Sequence, residues 1–228
     1  MEKEYLSCAE TAKLVRAALR KKFPGVKFSV RSDVYSGGAS IDIGWILGPT
    51  TKEVDAVGKR FASASFDGSI DMETSWSHWL LPDGSAIIRS GLGTTGSMGY
   101  IPKVEETLMP EGAKPVHFGA HYVFAQRRYG QTGDDEMKLR EQVARDMCKL
   151  QHIEYLNAYT IHLFGDGDTE QVDQHAWRLL NATSFAPDEV YEGVRYTEQG
   201  EDNGLSIPMV IIKKGGADNG GNGIGRKM

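Results

Sequence analysis

Between Ser7 and Lys22 the apolar residues Leu14, Val15, Ala18 and Leu19 fall three and four apart, and Lys13, Arg16, Arg20 and Lys21 take the positions between them. That period predicts a helix with one buried stripe. Ser7 and Glu10 have capping-box spacing, in which the serine oxygen accepts from the Glu10 amide and the carboxylate accepts from the Ser7 amide; Pro24-Gly25 ends the pattern. The period then drops to two. Val26, Phe28 and Val30 alternate with Ser29 and Arg31, and after Ser36-Gly37-Gly38 the alternation resumes as Ile41, Ile43 and Trp45, which predicts a hairpin with one buried face. Thr50 and Glu53 repeat the capping spacing behind Pro49, and Val54, Val57, Phe61 and Ala64 give a second helix an apolar side to lay on the hairpin. Neither helix nor hairpin buries its apolar face alone, so the expected fold class is α+β, a small antiparallel sheet packed by helices.

Farther along, Trp76, Trp79 and Leu80 surround His78, Asp83-Gly84 marks a turn, and Ala86-Ile87-Ile88 reads as a short strand. His117 to Phe124 reads as one more strand, with Phe118, Tyr122 and Phe124 on a single face. The longest helix is expected from Asp134 to Ile153, with Asp134, Asp135 and Glu136 at its positive end and Met137, Val143, Met147 and Leu150 turned inward. A helix from Asp168 to Leu180, capped by Asp168 with Gln171 three residues on, and a strand from Leu205 to Ile212 follow. The expected organisation is an α+β domain over 1–130, a helical or mixed region over 131–214, and a glycine-rich disordered tail over 215–228.

Three segments carry a family resemblance: KFPGVKFSVRSDVYSGGASIDIGW, the acidic-aromatic SFDGSIDM, and VHFGAHYVFAQRRY. Together they resemble the large polyvalent protein-associated domain family, type 29, over roughly residues 4 to 129, interrupted between Trp79 and Val116 by a segment outside the pattern. The resemblance implies a phage or mobile-element origin, since such domains occur in very long polyproteins of those elements and in short stand-alone proteins. It also implies a role near the conflict between element and host, and no catalytic residue.

Composition narrows the setting. The chain has 228 residues, 40% of them hydrophobic, and no apolar run approaches the roughly eighteen residues of a membrane helix. With two cysteines, Cys8 and Cys148, and no apolar stretch behind a basic N-terminus, the expectation is a soluble protein of the host cytoplasm. Net charge is −5 but uneven: residues 1 to 60 hold 11 Lys and Arg against 7 acids, and the remainder 15 against 24. One end suits a polyanion and the other repels it.

Four constellations are candidates for chemistry. Gly91, Gly93 and Gly96 have dinucleotide-loop spacing after a strand, but the following SMGYIPKVEETLMP has no helix start to face a pyrophosphate, so a partner-contacting or flexible loop is favoured. His117 and His121, four apart on a strand, stand roughly 13 Å apart at about 3.3 Å per residue, too far to share one metal, and no cofactor is expected. Asp166, Asp168 and Glu170 begin like a calcium loop, but Gln171 and Trp177 stand where glycine and glutamate are needed, so capping accounts for them better. The basic set Lys13, Arg16, Arg20, Lys21, Lys22, Lys27 and Arg31, joined by Arg127 and Arg128, is a candidate surface for nucleic acid or a partner, although no exposed aromatic pair accompanies it; its alternative is a solvated face. Cys8, at a helix start without a histidine partner, reads as packing.

The function expected from these readings is a non-catalytic accessory protein of a phage or mobile element that binds and inhibits a bacterial defence nuclease complex, of CRISPR or restriction type. The acidic Asp134, Asp135 and Glu136 are then a second partner surface. Two alternatives remain: a nucleic-acid-binding protein acting through the basic N-terminal face, and an enzyme with a site near Gly91–Gly96 or His117 and His121. A homodimer packed through the long helix from Asp134 is a further expectation.

Overall fold

The computed structural model describes residues 3–94, 101–152, 155, 172–197 and 209–215. The chain divides into two compact units, Met1–Gln131 and Thr132–Met228.

The first unit begins with β1 (Glu4–Leu6) and α1 (Cys8–Lys22). Ser7 and Glu10 close the expected capping box, and the chain leaves the helix through Gly25, whose φ of 85° favours glycine. Next come β2 (Ser29–Tyr35) and β3 (Gly38–Ile46), paired antiparallel around the Ser36-Gly37 turn. Their inward side chains Ile41, Ile43 and Trp45 are 0%, 1% and 3% exposed, as the alternation required. A second capping box, Thr50 with Glu53, starts α2 (Thr51–Gly58).

This helix is shorter than its apolar pattern. It gives way to a 3-10 turn, Lys59–Phe61, and Ala64 opens β4 (Ala64–Asp67) rather than closing the helix. Gly58 explains the tight seat, since a Cβ there would stand 2.9 Å from Ile43 Cδ1. β5 (Met72–Leu80), β6 (Ala86–Gly91), β7 (Lys114–Phe118) and β8 (Tyr122–Arg128) complete the unit.

Two sheets result. One runs β2-β3-β8; the other runs β1-β7-β5-β4, with β6 on the remaining side of β5. The fold class is α+β, but the sheets are mixed rather than antiparallel: β8 lies parallel to β3 and β1 parallel to β7. Both parallel pairs join segments separated by long connections, which parallel strands require and local periodicity does not reveal. The single strand expected over His117 to Phe124 is two strands in different sheets. Gly119 sits at the break, where a Cβ would meet the Tyr5 hydroxyl at 2.7 Å and the Leu6 carbonyl at 2.8 Å. One core, built from Val15, Leu19, Ile41, Ile43, Val54, Phe61, Val116 and Phe118, holds α1 and α2 on the sheets.

The second unit contains α3 (Gly133–Leu150), α4 (Val172–Ala182), β9 (Val190–Tyr196) and β10 (Met209–Lys214). β9 and β10 pair antiparallel. α3 buries Val143, Ala144, Met147 and Cys148 and packs on α4 and β9; Met137, expected inward, is 64% exposed because the helix's first turns extend beyond the packed stripe. Asp173, 6% exposed, is held by the Arg140 guanidinium, and the Tyr191 hydroxyl donates to Asp146 at 2.7 Å. Asp166, Asp168, Glu170 and Gln171, the first residues of the expected 205–212 strand, and the glycine-rich tail lie outside the described residues. Among the described residues no helix is long and apolar enough to cross a membrane.

Candidate interaction site

A groove in the first unit lies between the edge strands of its two sheets. β8 pairs only with β3 and β4 only with β5 among the described strands. They are tied at their starts, where the Ser63 amide donates to the Ala120 carbonyl at 2.8 Å and the Ala64 amide to the His121 carbonyl at 3.0 Å. Beyond that tie a groove of about 620 Å³ separates them. Ala62, Ala64 and Val123 are buried beneath it, while Phe66 and Phe124 are about half exposed, at 52% and 48%. The Tyr122 and Phe124 rings, two residues apart on β8, stack with centroids 6.0 Å apart and planes 26° from parallel.

Polar groups rim this apolar surface. The Tyr122 hydroxyl donates to Glu73, and burial, reinforced by that carboxylate, pushes the phenol up to about 12. It stays protonated and serves as a donor. His121 Nδ1 stands 3.7 Å from the same Glu73 carboxylate, and Lys59 lines the groove while pairing with Asp55 at 2.7 Å. The two strands put Phe66 and Glu73 side by side in register. Exposed Phe66 and Phe124 and half-buried Tyr122 therefore meet at this groove, where the sequence pattern had placed Phe118, Tyr122 and Phe124 together on one strand. The signal that could have found it was the acidic-aromatic SFDGSIDM facing the alternating Tyr122 and Phe124; the missing information was the break at Gly119.

The basic residues are not equivalent. Arg16 donates to the Val30 carbonyl at 2.7 Å, and Lys21 pairs with Asp83 at 3.0 Å. Arg127 donates to the Leu47 and Gly48 carbonyls at 3.1 and 2.9 Å, stacks over Tyr129, and is held below the usual guanidinium range by its burial. It secures the turn at Leu47, whose φ is 51°, from the inward face of β8. Arg128 is exposed and donates to the Gln131 carbonyl. Lys13, Arg20, Lys22 and Lys27 are exposed on and beyond α1, and Arg31 is exposed on β2 opposite Asp42. In the second unit Asp134 and Asp135 are exposed in the first turn of α3, with Glu136 half-buried, and Asp135 closes a capping box with Thr132.

The glycine and histidine candidates partly converge. Gly91 and His117 line a cleft of about 370 Å³ together with Lys3, Ser77, Ser90 and Lys103. Gly91 is there for packing: a Cβ would fall 2.0 Å from the Trp76 ring, and its amide and carbonyl pair with Val104 at 3.0 and 2.9 Å. Gly93, at φ 67°, leads into Thr94, whose amide donates to the Ile101 carbonyl at 2.8 Å and whose hydroxyl donates to the buried Asp67 at 2.8 Å. Gly96 lies outside the described residues, and no helix follows the motif over 101–113. His117 stacks on Tyr5, 5.7 Å between centroids, and does not share this cleft with His121. Among the described residues no group of three or more His, Cys, Asp or Glu is placed to hold a metal. Cys8 is buried, with its thiol 3.3 Å from the Ser40 carbonyl, and burial raises its pKa, which fits packing and not reactivity.

Two capped helices on mixed sheets, with an open groove between sheet edges, define a small α+β domain. Residues 6–130 match the family described as Large polyvalent protein associated domain 29, and the chain belongs to that family. The family ties it to phages and mobile elements. No curated protein and no solved structure matches the chain.

Proposed function

We propose that this protein is a non-catalytic phage or mobile-element accessory protein that binds and inhibits a bacterial defence nuclease complex. The observation that most supports the reading is the groove between β4 and β8, which presents half-exposed Phe66 and Phe124 in a domain of this family. Exposed aromatics in a concave, polar-rimmed surface are the usual anchors of a protein interface. Asp134, Asp135 and Glu136 add an acidic surface suited to the basic patches of nucleic-acid-handling machinery. Affinity capture from the native host, at low and at physiological salt, followed by mass spectrometry and nucleic-acid extraction, tests it. Recovery of a named nuclease-complex subunit that the purified protein then inhibits is expected; recovery of no defence component at either salt would contradict the reading.

A second reading, nucleic-acid binding through the N-terminal face, is favoured by exposed cations that include Lys13, Arg20, Lys22, Lys27 and Arg31. It predicts retention of duplex or single-stranded nucleic acid with a steep salt slope, reduced by Lys13→Glu and Arg20→Glu. Arg16 is a poor choice for that test because it holds the Val30 carbonyl. Binding unchanged in both variants would remove this reading.

A further inference from the structure

β4 and β8 each leave one side of a sheet without a partner strand among the described residues, and past the Ser63–Ala120 and Ala64–His121 backbone bonds that tie their starts, residues of both strands line one groove. A sheet edge carries a row of backbone donors and acceptors that only another extended chain can satisfy along its length. The side chains fit the same occupant. Tyr122 and Phe124 stand two apart, the repeat of a strand, and Phe66 faces the groove from the other wall. Lys59, on the turn before β4, lines the groove with its side chain 64% exposed, and its pair with Asp55 at 2.7 Å is a surface pair that an incoming carboxylate can share.

Charge argues against a nucleic acid here. Phe124 lies beside Asp42 in register, Asp42 in turn lies opposite Arg31, and Tyr122 is bonded to Glu73, so the charges beside the aromatic pair are mixed and do not form the continuous basic track a phosphate backbone needs.

We propose that this groove binds an extended peptide segment of the partner protein by strand addition, seating apolar side chains at alternate positions between Phe66 and the Tyr122–Phe124 pair and an acidic side chain against Lys59. The proposal rests on the reading of this protein as one that docks on another protein, and it names how the partner is held.

The test is selection of a random short-peptide display library on the purified full chain, followed by fluorescence anisotropy with the enriched peptides. Enriched sequences are expected to alternate apolar and polar residues and to carry an acid at one end. Phe124→Glu and Phe66→Ser should each weaken them by about thirtyfold, the scale of a lost aromatic anchor. Methylation of alternate backbone amides in the peptide should cost about tenfold or more. Both substituted residues are about half exposed, so unchanged unfolding midpoints will show that the fold is kept. Absence of alternating sequences, or full binding by both variants, would overturn the proposal. So would an oligothymidine held by the wild type and lost in Phe124→Glu, which reassigns the surface to nucleic acid, or a sedimenting dimer abolished by Phe124→Glu, which reassigns it to a second copy. No host component enters the selection, so its result stands whether or not defence is inhibited. A Phe124→Glu, Phe66→Ser double variant that still inhibits defence fully would sink the groove and spare the inhibitory reading.

Discussion

His78 has no exposed surface, sits 4.9 Å from the Phe118 ring, and finds no hydrogen-bond partner for either ring nitrogen among the described residues. Burial, and then His117 and Lys3, hold its pKa down to about 4. Because the folded value lies below the ordinary one near 6.5, the unfolded chain takes up the proton first. The His78 contribution is therefore intact above about pH 6.5 and is lost as pH falls towards 4, at up to about 1.4 kcal/mol per pH unit. His117, lowered by burial and then by Lys3 and His121, acts in the same direction. Urea unfolding of His78→Leu should show a flatter stability profile across that window and a stability at neutral pH equal to or above wild type, since two orphaned polar atoms are removed. An undiminished pH dependence would refute this. Arg127→Ala is expected to cost roughly 2–4 kcal/mol, because two backbone carbonyls of the Leu47–Gly48 turn lose their donor. A loss below about 0.5 kcal/mol would mean that the exposed part of the guanidinium, and not its carbonyl contacts, is what matters.

At the scale of elements, the parts legible in the sequence are those whose instructions are local. Ser7 with Glu10, Thr50 with Glu53, and the Ile41, Ile43, Trp45 alternation each act within a few residues, and each forms as the spacing requires. Ser7→Ala and Thr50→Ala should each cost about 1 kcal/mol, read as a shifted urea midpoint with unchanged slope. What the sequence did not reveal depends on distant partners. Gly119 breaks the run from His117 to Phe124 because β1 arrives beside it, and Ala64 leaves the helical pattern because the Ala64 amide pairs with His121. The groove inherits that difficulty, since its walls come from residues 59–66 and 122–124. The glycine motif is the reverse case: its spacing is visible, but its meaning depends on Trp76. Gly91→Ala should destabilise by about 1–3 kcal/mol through overpacking on that indole, with no loss of any nucleotide affinity, measured by unfolding and by isothermal titration with ATP and NAD. Unchanged stability together with nucleotide binding lost on substitution would restore the nucleotide reading.

For the whole molecule, the family match covers residues 6–130, and the Met1–Gln131 unit contains the core, both mixed sheets and the groove. We propose that this unit is an independent domain; residues 1–131 expressed alone should unfold in one cooperative urea transition, whereas a non-cooperative melt would show that it needs the rest of the chain. The exposed cations of α1 and β2 lie in the first unit and the acidic first turn of α3 in the second. The central claim is that this protein acts by docking on a defence complex, and plating efficiency tests it most directly. A targeted phage should be plated on a host with an active nuclease defence, with and without expression of the wild-type chain. Plaque counts are predicted to rise by about tenfold or more when the protein is present; counts that do not change, with the folded protein demonstrably in the cells, would contradict the account.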